Sequence, residues 1–330
     1  MNIRDRKILA AFMILLGYAC ALTSCHREDN PAAPLQTDIP ILMSASSEWP
    51  ELTKVPVIGE ENIDGEEIDY RDLSFYVWGY YEPSPENLVF DGTEVYYVTD
   101  IWTYDGPAKY WSIGNYSFAA IMSAEALGNS VSCSFDEGVA TFAFDPAYNL
   151  LEEQHDVMFA LDEPEFTVDD MNSNDEKAVT FNFGPQLSML SFTIQNNITS
   201  VSSAITVISI EVAGLHSSAA SWSGGVWTYD GDPSSCSLDV SENVSENLLV
   251  FPEVDTPITV YVTYTETLDG VENPTPEITK STAPFEVTLE KGKRYTYPLT
   301  ISNSEIILFD EPSVTPWPDE ATEVGNITVK

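Results

Sequence analysis

Basic residues are scarce in this chain: 13 Lys and Arg stand against 53 Asp and Glu, a formal net charge of −40. A surface of that sign repels nucleic acid and anionic lipid headgroups, which are bound through Lys and Arg. The acidity is spread along the chain rather than blocked, so it reads as a solvated face and not an acidic tail. Cysteine is rare too, with no CxxC and no Cys/His set at metal spacing, which excludes an ordinary zinc module. Histidine occurs only at His26, His155 and His216, and none lies in HExxH or beside a nucleophile motif. GxSxG, GxGxxG and the GxxxxGKS/T loop are missing, which removes the common hydrolase and phosphate-binding signatures. Asp170, Asn172 and Asn174 begin like a calcium loop, but Asp175 stands where Gly is needed and Phe181 where Glu is needed. The reading is therefore of a non-enzymatic protein with no cofactor and no metal site. Long helical periodicity is lacking as well; only Ala147 to Gln154 looks helical, and it is too short to be a main element.

The amino terminus has what the rest lacks. Arg4, Arg6 and Lys7 precede an apolar run from Ile8 to Ala21, the layout of a secretory signal. The run is short for a permanent span, which needs about 20 apolar residues. It ends in Leu22-Thr23-Ser24-Cys25, which resembles a bacterial lipobox, so Cys25 is the expected lipidation site. The alternative is an ordinary secretory signal in which Cys25 is incidental. His26-Arg27-Glu28-Asp29 resembles the surface-export signal of Bacteroidota lipoproteins. Residues 1–24 are read as signal peptide, and residues 25–37 as the lipidated Cys and a flexible tether. Cleavage there would remove Arg4, Arg6, Lys7 and Asp5, leaving 10 basic against 52 acidic residues and a net charge of −42. Cys20 would leave with the signal, so Cys133 and Cys236 remain. Two free thiols are expected there, with a disulfide as the alternative.

Beyond the tether, period-2 patterning dominates. Ile39, Ile41, Met43 and Ala45 share one phase, and Phe75 and Val77 alternate with Tyr76 and Trp78. Tyr116, Phe118, Ala120 and Met122 form another stripe. In the second half the stripes are Leu190, Phe192 and Ile194; Ile208, Ile210 and Val212; Ile258, Val260, Val262 and Tyr264; and Tyr295, Tyr297, Leu299 and Ile301. Short alternating strands broken by Gly, Pro, Asn and Asp predict an all-β fold of two tandem antiparallel β-sandwiches, 38–170 and 171–330. Pro298 should sit at an edge or bulge, because it cannot donate to a ladder. Aromatics crowd the first half, and Tyr76, Trp78 and Tyr80 share a face. If exposed, that face could stack on sugars; otherwise the rings are cross-strand core pairs.

Several segments together resemble the fimbrillin family, the transthyretin-like two-domain subunits of Bacteroidota type V pili. Ile101-Trp102-Thr103-Tyr104-Asp105-Gly106-Pro107-Ala108-Lys109-Tyr110-Trp111 resembles that family's W-x-Y-D-G-P-x-K-Y-W stretch. Asp156-Val157-Met158-Phe159-Ala160 is similar to its D-L-M-Y-A strand. Gln186-Leu187-Ser188-Met189-Leu190-Ser191-Phe192 is similar to the opening of its second domain, with Gln in place of His. Lys291 to Tyr297 and Val314-Thr315-Pro316-Trp317 resemble its closing strands.

The resemblance implies a structural subunit of a surface pilus or adhesin, held at the outer membrane by lipid on Cys25. It implies assembly with other fimbrillin subunits by β-strand exchange. The first strand, with Ile39, Ile41, Met43 and Ala45, would leave its groove after a cut in the following loop; an edge strand that stays is the alternative. Characterised members carry an Arg at the cut, whereas this chain has Thr53-Lys54-Val55-Pro56. Lys54 is thus the candidate processing site, although Lys and Arg are not interchangeable to an Arg-specific protease. Val324, Ile327 and Val329 are the candidate donor strand, or else the last strand of their own sheet. A non-polymerising anchor or tip subunit and a surface glycan-binding lipoprotein are the alternative functions, with a host or bacterial surface glycan or protein as ligand. Replacing Cys25→Ala is expected to abolish incorporation of labelled palmitate and to shift the protein from the membrane to the soluble fraction. Continued labelling of the variant would overturn the lipidation reading.

Overall fold

The computed structural model describes residues 36–47, 74–84, 88–122, 130–154, 156–173, 175–198, 203–268, 275–302, 306–308 and 311–316. Residues 37–330 form one compact unit, and the fold is all-β. Among the described residues four sheets form, of eight, eleven, four and two strands. The apolar stripes of the sequence point into them as alternation requires. Phe75, Val77, Tyr116, Phe118, Ala120, Met122, Leu190, Phe192, Val260, Val262 and Leu299 are all buried.

The eight-stranded sheet runs Met158–Asp162, Ala178–Pro185, Leu42–Ser47, Ile101–Tyr104, Phe90–Val98, Phe75–Tyr81, Gly114–Met122 and Glu165–Phe166. Met158–Asp162 also pairs with Gly114–Met122, from Met158↔Met122 to Asp162↔Phe118. The sheet therefore closes on itself, and its interior holds Phe75, Phe90, Trp111, Phe118, Phe181 and Phe183. Closure removes the open edges at which β-proteins aggregate.

The eleven-stranded sheet encloses a second core built on Leu190, Phe192, Ile210, Val212, Val260, Val262 and Leu299. Both large sheets are antiparallel apart from one parallel ladder each, Leu42–Ser47 with Ala178–Phe183 and Met189–Asn196 with Arg294–Ile301. In each case the partners are more than a hundred residues apart, so the ladder ties an early strand to a late one.

Two local expectations resolve here. Pro298 pairs with Thr193 on one side. On the other side Ser313–Pro316 covers Lys293 to Thr296 and Ile306–Leu308 covers Leu299 to Ile301. Among the described residues, Pro298 falls in the gap between them, a position that tolerates a missing donor. Ile208, by contrast, leaves its expected stripe. The ladder between Ser203–Leu215 and Glu253–Leu268 slips between Val207 and Ser209, and such a bulge shifts the inward phase by one residue. Ile205 and Val207 then pack on the core while Ile208 is 42% exposed.

The four-stranded sheet joins Val131–Asp136 and Val139–Phe144 to Ala220–Ser223 and Val226–Tyr229. Its core mixes Trp78, Phe142 and Phe159 with Met189, Trp222 and Phe251. Phe142 lies 4.2 Å from Phe159, stacked, and 5.9 Å from Trp222. Cys133 is buried in this core and Cys236 is half-buried against the second one; both thiols are free. Burial pushes the Cys133 thiol up to about 12, so it is not a nucleophile near neutral pH.

Because Phe142 belongs to a core drawn from both halves, Phe142→Ala should cost about 3–5 kcal/mol. Tryptophan fluorescence and circular dichroism during urea unfolding should shift together. Two separated transitions, one at the original midpoint, would show that the halves unfold independently.

Candidate functional site

The strand Leu42–Ser47 lies inside the closed sheet rather than at a rim. Six of its residues pair in parallel with Ala178 to Phe183, and one bridge, Met43↔Trp102, ties it to the other neighbour. Ile41, Met43 and Ala45 are buried and Ile39 packs half-buried beside them. Burying Ile41 and Met43 contributes about 1.5–3 kcal/mol each. The floor beneath them is aromatic: Phe75 lies 5.5 Å from Phe181, 5.2 Å from Phe183 and 5.0 Å from Trp102.

Entry to this slot is set by the Trp102 to Trp111 segment. Gly106, at φ +104, makes the turn after Asp105, a conformation open to Gly at little steric cost. The chain then returns so that Lys109 N–H donates to the Tyr104 hydroxyl at 3.0 Å. Ile41 N–H donates to Lys109 C=O at 2.8 Å, and the Thr37 hydroxyl donates to Trp111 C=O at 2.8 Å. The Trp111 indole N–H reaches Lys177 C=O at 3.3 Å. Upstream, Gln36–Pro40 pairs with Tyr110–Ser112. A cavity of ≈ 220 Å³ lies between Ile41 and Met43 and the facing Ile101 to Tyr104 backbone, which agrees with the single bridge on that side.

Ala178–Pro185, the main partner of the first strand, was not anticipated as part of the site. Its signal is Val179, Phe181 and Phe183 alternating with Thr180 and Asn182. It lies beyond the expected boundary at 170, yet it pairs with the sheet of the first half. Cys25, Lys54, Val324, Ile327 and Val329 lie outside the described residues.

The aromatic face of Phe75–Tyr81 is covered. Trp78 is buried, with its ring 6.0 Å from Phe142, and Tyr80 stacks on Phe135 at 5.5 Å. Tyr76 packs half-buried on the same core. These rings are cross-sheet packing, not a platform for sugars.

The fimbrillin-like family model matches residues 71–317. The chain belongs to this family. A fimbrial protein from Bacteroides vulgatus is similar in structure, at 13% identity and a TM-score of 0.49, over 84% of this chain and 99% of that one. A candidate cell adhesion protein from Bacteroides eggerthii is similar at 13% identity and a TM-score of 0.47, over 84% and 94%. No curated protein matches this fimbrillin-like chain.

Titratable groups in the fimbrillin-like protein serve the fold. The Asp170 side chain accepts from Thr167 N–H at 2.8 Å and pairs with Lys177 Nζ at 2.9 Å, capping the helix Val168–Asn172. The Lys177 ammonium holds its carboxyl down to about 2. Glu253 is buried and accepts from His216 N–H at 2.9 Å and from the Thr256 hydroxyl at 2.9 Å. Among the described residues no group of three His, Cys, Asp or Glu could hold a metal, and no helix is long and apolar enough to cross a membrane.

Asp156 stands apart. It is buried, its carboxylate accepts from Val157 N–H at 2.7 Å, and burial pushes its pKa up to about 7. The folded chain therefore keeps a proton that the unfolded chain releases near pH 4, so stability falls as pH rises from about 4 to about 7. The loss attributable to Asp156 is at most about 4 kcal/mol. Unfolding midpoints measured at pH 5.5 and pH 8 should differ in the native protein and converge in Asp156→Asn. An equal pH dependence in both would remove Asp156 as the cause.

Proposed function

We propose that this fimbrillin-like protein is a non-enzymatic structural subunit of a cell-surface pilus or adhesin, lipid-anchored through Cys25 and assembled by β-strand exchange. The observation that supports it best is the position of Leu42–Ser47. A strand at the beginning of the described chain fills an interior slot, with a six-residue ladder on one side and one bridge on the other. Were it to leave, the backbone of Ala178–Pro185 and Ile101–Tyr104 would be unpaired along a groove floored by Phe75, Phe181 and Phe183. Such a groove takes an extended strand through main-chain bonds and alternate side-chain pockets. Of the candidate donor residues Val324, Ile327 and Val329 of a second subunit, Ile327 and Val329 share the phase such pockets require, and Val324 falls on the opposite one. Lys54 follows the strand and is the proposed cut. In this reading the subunit has two tandem domains whose boundary falls after Pro185 rather than at 170, because Ala178–Pro185 pairs in the sheet of the first half, and other fimbrillin subunits are its partners.

Removing the strand costs its buried side chains about 1.5–3 kcal/mol each, so a cut alone should leave it in place until a competing strand arrives. Limited trypsin applied to the chain from His26 onward is expected to cut near Lys54. It should then yield a ladder of SDS-resistant multimers on unboiled gels, with short filaments in negative stain. A cut near Lys54 that leaves only monomers with the fragment retained would sink the polymerising role in favour of an anchor or tip subunit.

A further inference from the structure

The two parallel ladders of the described fold lie in series along the chain. Leu42–Ser47 runs beside Ala178–Phe183, from Leu42↔Ala178 to Ser47↔Phe183. Two residues, Gln186 and Leu187, then carry the chain from Ala178–Pro185 into Ser188–Asn196. That strand runs beside Lys293–Ile301, from Met189↔Arg294 to Asn196↔Ile301. The segment Ala178–Asn196 is thus a spine with one parallel strand lapped onto each half. On its other side the spine is held less extensively. Ala178–Pro185 pairs with Met158–Asp162 at Gly184 and Pro185 alone, and Ser188–Asn196 meets Leu248–Val250 over three residues and Val244 at one.

The link between the halves of the spine is pinned. Gln186 and Leu187 are buried; Gln186 N–H donates to Val157 C=O at 2.9 Å, and Leu187 C=O accepts from Gly292 N–H at 2.7 Å. Each ladder also carries a side-chain bond across it. The Ser46 hydroxyl donates to Asn182 Oδ1 at 3.3 Å, and the hydroxyls of Ser191 and Thr296 share a bond at 2.9 Å.

The direction of a pull decides how a parallel ladder fails. Drawn apart from the same end, two strands open pair by pair, and each pair bears the whole load in turn. Drawn from the N-end of one and the C-end of the other, they must slide past each other. The evenly spaced bonds of a parallel ladder then carry the load together. Tension between the residues before Leu42 and those after Ile301 meets both ladders in this second way. Leu42–Ser47 is drawn from its N-end while Ala178–Pro185 is held at its C-end, and Ser188–Asn196 stands in the same relation to Lys293–Ile301. We propose that the spine Ala178–Asn196 and its two lapped strands form a load-bearing shear clamp that holds the subunit together under tension. Where tension enters in the cell rests on the Cys25 anchor proposed above, which precedes Leu42; the geometry of the clamp does not. Resistance to forced unfolding is set by the unfolding rate rather than by equilibrium stability, so the clamp asks for no unusual melting temperature.

The test pulls single molecules of the chain from His26 onward, uncut and without lipid, so that it depends on neither strand exchange nor anchoring. Handles are joined to click-reactive residues placed in pairs among Asp38, Asp175, Gln195 and Ser302, with both native thiols left in place. Each variant is first shown to melt like the native chain. Asp38 with Ser302 loads both ladders lengthwise. Asp38 with Asp175 draws the first ladder apart from its N-ends, and Gln195 with Ser302 draws the second apart from its C-ends. At one loading rate the lengthwise pull is expected to need at least about twice the force of either unzipping pull, because the rate-limiting step must then break a whole ladder at once. A lengthwise force no greater than either unzipping force would overturn the clamp. That result would leave strand exchange standing, just as a failure of the trypsin-treated chain to form multimers would leave the clamp standing.

Discussion

The parallel ladder between Leu42–Ser47 and Ala178–Phe183 is the interaction on which the first half depends. It joins residues 136 apart in sequence at every pair, from Leu42↔Ala178 to Ser47↔Phe183. Without it the closed sheet would have two open edges and an aromatic interior facing water. Long-range pairing of this kind is entropically slow to form, because a large loop must close before any contact rewards it. The strand that completes the closed sheet therefore depends on a partner far along the chain.

Much of this was legible in the sequence because it is local. Alternation at Phe75 and Val77, or at Val260, Val262 and Tyr264, gives both the strand and its buried face, since neighbouring side chains must point to opposite sides. The stripe of Ile41, Met43 and Ala45 was readable for the same reason. What escaped is non-local. Nothing in 38–47 names Ala178–Pro185 as its partner, and nothing in Met158–Asp162 says that it pairs with two strands and closes the sheet. Ile208 shows the limit within a strand, where one slipped residue reverses the phase. Trp78 and Tyr80 show it between sheets, since the hairpin that covers them lies more than fifty residues on.

The acidic character of the chain acquires meaning from where the exceptions lie. Lys177 and Lys293 are spent on neighbouring carboxylates, while Lys280 donates to Ser302 C=O at 2.7 Å. Charge in this protein is thus almost wholly solvating, which suits a molecule crowded against others at a surface.

The mixed four-stranded sheet has a further consequence. Ser221↔Ala143, Trp222↔Phe142 and Ser223↔Thr141 join a hairpin from each half, and Phe142, Phe159, Trp222 and Phe251 fill the space beneath. A linker alone would leave the halves to swivel, as domains joined by small polar interfaces do. Here the joint is welded by main-chain bonds as well as by packing. Any part of the molecule held fixed would therefore aim the remainder in one set direction, like the barrel of a mounted telescope.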